Sequence, residues 1–114
     1  MKDEILEALR GSVKKWSLIV HLNGEDNGCD NCPLCKLFWK NGFLHCYLCP
    51  IVTHGNGEIS CEKTPYSKWN THHKNRHTYA YNHYTIKCPE CRRLAQEELM
   101  FLQSVLERYK EEVV

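Results

Sequence analysis

Hydrophobic positions recur with a helical period at both ends of this 114-residue chain and lose that period between them. Leu6, Leu9, Val13, Trp16 and Val20 step by 3, 4, 3 and 4, which places them on one face of a helix predicted over residues 3 to 22. Gly11 weakens its middle by about 1 kcal/mol relative to alanine. Asn23-Gly24 supplies an end, because glycine tolerates the left-handed conformation of a helix terminus. Near the other end, Cys91, Ala95, Leu99, Leu102, Leu106, Tyr109 and Val113 step by 4, 4, 3, 4, 3 and 4. Leu94, Phe101 and Val105 widen that stripe, and Pro89 is a favoured first helical residue, so a second helix is predicted over residues 89 to 112. The stripe is broader than a bare coiled-coil seam, which favours packing onto the protein's own core over a homodimer through this helix.

Residues 23 to 87 are cut into short pieces by Asn23-Gly24, Asn27-Gly28, Asn41-Gly42 and Gly55-Asn56-Gly57. Aromatic and β-branched residues predict short strands at Phe43 to Cys46 and Tyr79 to Ile86. With three Phe, three Trp and 25% charged residues, the apolar core is small, and a structural metal adds on the order of 10 kcal/mol, comparable with a whole domain's stability. The expected fold is therefore a small metal-stabilised α+β domain covering residues 1–114. In it, N-terminal and C-terminal helices flank an irregular zinc-knuckle or ribbon core with short strands.

Seven of the eight cysteines fall into Cys-x-x-Cys steps. These are Cys29 to Cys32, Cys32 to Cys35, Cys46 to Cys49 and Cys88 to Cys91, with Cys61 standing alone. Two intervening residues let one tight turn aim both sulfurs at a single ion. The chain opens Met1-Lys2-Asp3-Glu4 without an apolar leader, and its longest aliphatic run, Leu18-Ile19-Val20, is far short of the roughly 20 residues that span a bilayer. A cytoplasmic location with no membrane partner is expected, and there thiols stay reduced and serve metal rather than disulfides.

Cys32, Cys35, Cys46 and Cys49 have a compact ribbon-like spacing and form the expected first site. Cys61, Cys88 and Cys91, completed by Cys29 or a histidine, form the second, so two zinc ions are expected. Pro89 places Cys91 in a first helical turn, where the helix dipole stabilises thiolate charge. Iron–sulfur is the alternative, since Cys29, Cys32 and Cys35 match the first three ligands of a ferredoxin-type run, but Lys36 to Trp39 contains no fourth cysteine. His73 and His77 form an i, i+4 pair, yet no apolar helix face surrounds them, and solvated loop histidines are the expectation.

The stretch Cys32-Pro33-Leu34-Cys35, Cys46-Tyr47-Leu48-Cys49-Pro50, Cys61 and Thr64-Pro65-Tyr66-Ser67-Lys68-Trp69 resembles a set of small cysteine-rich, zinc-finger-like proteins found mainly in bacteriophages and prophages. Segments resembling Gly11 to Val20 and Ala95 to Leu106 accompany it, so the resemblance covers most of the chain except about residues 70–87. It implies a phage-type origin, action in a host cytoplasm and bound zinc, and it carries no activity. Cys32, Cys35, Cys46, Cys49 and Cys61 belong to the shared pattern, while Cys29, Cys88 and Cys91 are additional. The Thr-Pro-Tyr segment reads as a turn whose Tyr66 and Trp69 shield the metal.

The net charge of +1 is uninformative, but its distribution is not. From Lys63 to Lys87 the chain carries Lys63, Lys68, Lys74, Arg76 and Lys87 and no acidic residue, interleaved with tyrosines and Trp69. Arg92 and Arg93 extend this run. Cations that meet phosphate beside aromatics that stack on bases predict nucleic-acid binding by a non-enzymatic module. The alternative is a protein-interaction module that modulates a host protein. A further alternative is enzymatic: His72-His73, Asn82 and the Cys88/Cys91 pair resemble the order of a zinc-stapled HNH nuclease, although the interval from His73 to Asn82 is short for it.

Overall fold

The protein is described here by a computed structural model that covers residues 4–26, 31–40, 43–44, 64–76 and 84–113. Helix α1 runs from Glu4 to Leu22, with Glu4 and Glu7 in the first turn, where negative charge suits the helix dipole. A short α2, Pro33–Phe38, leads into β1, Trp39–Lys40, which pairs antiparallel with β2, Phe43–Leu44. Helix α3 is Pro65–Arg76 and helix α4 is Pro89–Val113.

The two terminal helices form where the periodicity puts them, but the α+β expectation is overturned. The described residues are dominated by helix, and their strand pairing is confined to the two-residue β1–β2 ladder and one bridge between Asp26 and Tyr84. The strand expected over Tyr79 to Ile86 is, where described, that single bridge followed by irregular backbone. The turn expected at Thr64-Pro65-Tyr66 is instead the start of α3. Pro65 stands first in the helix, where its missing N–H is no loss, and the Ser67 N–H donates to Thr64 O at 3.0 Å. The ribbon expected around Cys46 to Cys61 lies outside the described residues.

Helix α1 ends because Asn23 adopts φ 54°, one of the few non-glycine residues that tolerate it. The reversal brings the Gly24 N–H onto Leu18 O at 2.9 Å. A Cβ on Gly24 would sit 3.0 Å from the Leu18 carbonyl carbon and the Ile19 nitrogen. Glycine is therefore required at 24 by close approach, and the left-handed residue is its neighbour. Gly11, which costs helix propensity, faces Pro33, whose Cγ would lie 3.0 Å from an added Cβ. It lets α2 seat directly on α1.

Helix α4 packs against both α1 and α3, and α1 against α2. Leu9, Trp16, Ile19 and Val20 of α1 meet Leu94, Ala95, Leu102 and Val105 of α4 in one buried cluster. The apolar stripe of α4 thus faces this chain's own core. Trp69 of α3 is fully buried and meets Trp16 edge-to-face at 5.1 Å between ring centroids.

A polar knot crosses this core. Asp26 is fully buried, and its carboxylate accepts from Lys15 Nζ at 2.8 Å and Trp69 Nε1 at 2.9 Å. Tyr66 adds a third side-chain hydrogen bond, and burial followed by the Asp26 charge pushes its phenol well up, which keeps it a neutral donor. The Asp26 backbone exchanges two hydrogen bonds with Tyr84, at 2.8 and 3.0 Å. Removing the carboxylate leaves Lys15 buried without its partner. Asp26→Ala is expected to destabilise the fold by about 3–5 kcal/mol in urea unfolding.

Glu98 of α4 lies close to the knot, only 3% exposed, and its Oε1 has no hydrogen-bond partner. Burial, then the Asp26 charge, push its carboxyl up to about 8, with Lys15 opposing. The folded state therefore holds a proton that the unfolded chain releases near the ordinary value of 4.5. Stability must fall as pH rises through that window and level off above about 8. Glu98→Gln is expected to flatten this slope. Thermal unfolding should give the variant a higher Tm than the wild type above the window, and a similar Tm at its acid end.

Candidate metal centre

The centre lies where the C-terminal half of α3 meets the first turn of α4. Successive residues on a helix diverge by about 100°, so His72 and His73 leave α3 in different directions. His73 is fully buried, and His72 is half-buried at the edge of the core. Cys88 stands just before α4. The Arg92 N–H donates to Cys88 O at 3.2 Å, and the Cys91 N–H donates to Cys88 Sγ at 3.4 Å. The thiol thus takes the capping place that a serine or aspartate oxygen takes elsewhere.

Three donor atoms converge there. His72 Nε2 is 3.3 Å from Cys88 Sγ, Cys88 Sγ is 3.5 Å from Cys91 Sγ, and all three lie within 4.8 Å of one another. A tetrahedral zinc with Zn–S of about 2.3 Å and Zn–N of about 2.0–2.1 Å has S···S edges of about 3.8 Å and S···N edges of about 3.6 Å. The His72–Cys88 and Cys88–Cys91 separations come within a few tenths of these edges. The group can hold a metal ion.

Electrostatics separates the two thiols. The backbone N–H of Cys91 holds the Cys88 thiol below its usual range, whereas burial pushes the Cys91 thiol up. His73 backs the pair without joining it. Its Nδ1 lies 2.9 Å from Trp69 O, and its Nε2 lies 2.8 Å from Thr85 O and 3.6 Å from Cys91 Sγ. Its ring is held between Trp69, at 4.1 Å, and Tyr84, stacked at 4.6 Å. A general base needs a lone pair facing its substrate. His73 points both nitrogens at backbone carbonyls.

The sequence-derived candidates are distributed as follows. Cys88 and Cys91 come together, with His72 as the histidine of the second expected site. Cys32 is half-buried ahead of α2 and is not part of this group, and Cys35 lies within α2. Cys29, Cys46, Cys49, Cys61, Lys63, His77 and Asn82 lie outside the described residues. Lys68, Lys74 and Lys87 are exposed, and Arg76 is the last residue of α3. Arg92 donates from Nη1 to Val20 O at 2.6 Å, capping the end of α1, and Arg93 is paired with Glu90 and with Glu97. Both arginines have intramolecular partners. Trp69 and Tyr84 are buried, and Tyr66 is half-buried, so these aromatics pack inside and do not form a stacking platform.

His72 was missed as a ligand because its distance in sequence from Cys88 follows no zinc-finger spacing. The signal that could have found it is the stripe Tyr66, Trp69 and His73, spaced 3 and 4 apart. That stripe marks a helix and turns His72 toward its flank. No family model, curated protein or solved structure matches this chain. No helix among the described residues is long and apolar enough to cross a membrane.

Cobalt(II) titration followed by thiolate-to-metal absorption tests the centre. Cys88→Ser and Cys91→Ser should each lower this band. His72→Ala should weaken binding by more than the roughly 10–100-fold that loss of an outer hydrogen bond costs. Affinity should fall on acidification, because the donors bind metal only when deprotonated.

Proposed function

We propose that this chain is a non-enzymatic zinc-binding module in which the ion joins α3 to α4, and that α3 binds nucleic acid. Zinc is favoured over an iron–sulfur cluster because a mixed imidazole and thiolate donor set suits it. Four of Cys32, Cys35, Cys46, Cys49 and Cys61 are the proposed donors of a second ion. The phage-type resemblance adds a host cytoplasm as the expected setting.

One observation carries the nucleic-acid reading. Helix α3 has Lys68, Lys74 and Arg76 and no acidic residue, while Trp69 and His73 turn inward and Lys68 and Lys74 are exposed. A helix anchored by one face and cationic on the other suits phosphate contact. Because Trp69 is buried and Tyr66 half-buried, contact through α3 rests on charge rather than base stacking, and it should be weakly sequence-dependent.

The alternative partner is a host protein. Leu18 and Leu22, one turn apart on α1, are 40% and 73% exposed and favour an apolar contact. Salt separates the two readings. With Lys68, Lys74 and Lys87 each meeting one phosphate, the logarithm of affinity for a short DNA duplex should fall with log salt at a slope of about −3. Lys68→Glu combined with Lys74→Glu should abolish most of that binding and leave the circular dichroism spectrum unchanged. Binding to DNA that ignores both salt and these charges would discard the reading.

A further inference from the structure

We propose that Cys88 and Cys91 form a peroxide-sensitive dithiol whose oxidation to a disulfide ejects the metal and removes the ion's link between α3 and α4. This rests on the reading of His72, Cys88 and Cys91 as metal ligands and assigns that centre its regulation.

Three observations carry it. The sulfurs stand 3.5 Å apart, so a disulfide of about 2.05 Å requires an approach of only about 1.5 Å at the start of a helix. Their access differs in the way a two-step oxidation requires. Cys88 forms part of an open groove of about 520 Å³ together with Ile86, Pro89, Arg92, Arg93 and Gln96. Cys91 is outside that lining and fully buried. Finally, the same two sulfurs supply two of the three donors brought together among the described residues. A disulfide sulfur is no longer a thiolate donor, so the bond that forms removes most of the donor set.

The chemistry balances with a hydroperoxide as oxidant. The Cys88 sulfur attacks the peroxide, the O–O bond breaks, and one oxygen leaves as water, giving a sulfenic acid at Cys88. The Cys91 sulfur then attacks the Cys88 sulfur, the S–O bond breaks, and the second oxygen leaves as water. Two thiols lose two electrons and two protons, and hydrogen peroxide is reduced to two waters. His72 alone remains as a donor from this group, and α3 keeps its packing through Trp69 and His73. A thiol reductant reverses the change.

The test uses the full chain, reduced and loaded with zinc, then exposed to hydrogen peroxide. Zinc release is followed with a chromophoric chelator, and disulfides are mapped by mass spectrometry of proteolytic fragments. The expected result is zinc released in step with a Cys88–Cys91 disulfide, one ion per bond, and taken up again after reduction. In Cys91→Ser the resolving sulfur is gone, so a sulfenic-acid trap should label Cys88 in place of the disulfide. Oxidation confined to the other cysteines, or zinc retained by a chain whose Cys88–Cys91 disulfide has formed, overturns the proposal. If the reduced chain takes up no zinc, the metal reading itself fails and the coupling falls with it. A Cys88–Cys91 disulfide in that chain would then be a redox change without a metal.

Discussion

A carboxylate held at zero exposure is costly unless every lone pair is answered, and Asp26 is held in that way. Lys15 brings a charge from α1, Trp69 brings an indole N–H from α3, and the Asp26 backbone pairs with Tyr84 ahead of α4. Three parts of the chain are thus fixed to one residue. An apolar contact would tolerate sliding by an ångström, whereas this knot does not, because each partner occupies a particular oxygen or backbone group. Trp69 then carries the geometry onward: its carbonyl and ring both meet His73, and His73 in turn reaches Cys91 Sγ. The placement of the thiols is linked to Asp26 through two side chains.

The candidate metal centre lies at a different corner. Cys88 caps α4, Arg92 in the same turn caps α1 through Val20 O, and His72 reaches across from α3. The ends of three helices therefore meet within one turn of α4. This explains why a core with few large apolar groups holds together in the described residues. The knot closes its middle, and the Cys88 turn closes one end.

Helices α1 and α4 were legible because their inward faces are aliphatic and strictly periodic. Their buried sets extend the predicted stripes by Ile19 and by small or polar residues, Ala8, Ser12 and Glu98. Helix α3 was not legible by the same measure. Its inward residues are Trp69 and His73, beside the half-buried Tyr66, so aliphatic periodicity finds nothing there, and the segment reads as a turn at Pro65 followed by a polar loop. The Cys88–Cys91 pair was readable from two intervening residues and a proline. Its partner His72 was not, because it depends on how α3 and α4 cross. The arginines show a further limit: Arg92 and Arg93 count as cations in the sequence, but in the fold one caps a helix and the other forms ion pairs.

The sequence separations of these contacts imply an order of assembly. The donors of the metal centre lie only 16 residues apart for His72 and Cys88, whereas Asp26 and Trp69 lie 43 apart and Val20 and Arg92 lie 72 apart. Closing a short loop costs less chain entropy, and local contacts form sooner. The pair α3–α4 is accordingly the unit that can form first, and α1 docks onto it later by burying Asp26. An ion present early in folding would act as a nucleus for the chain as well as a brace for the finished fold.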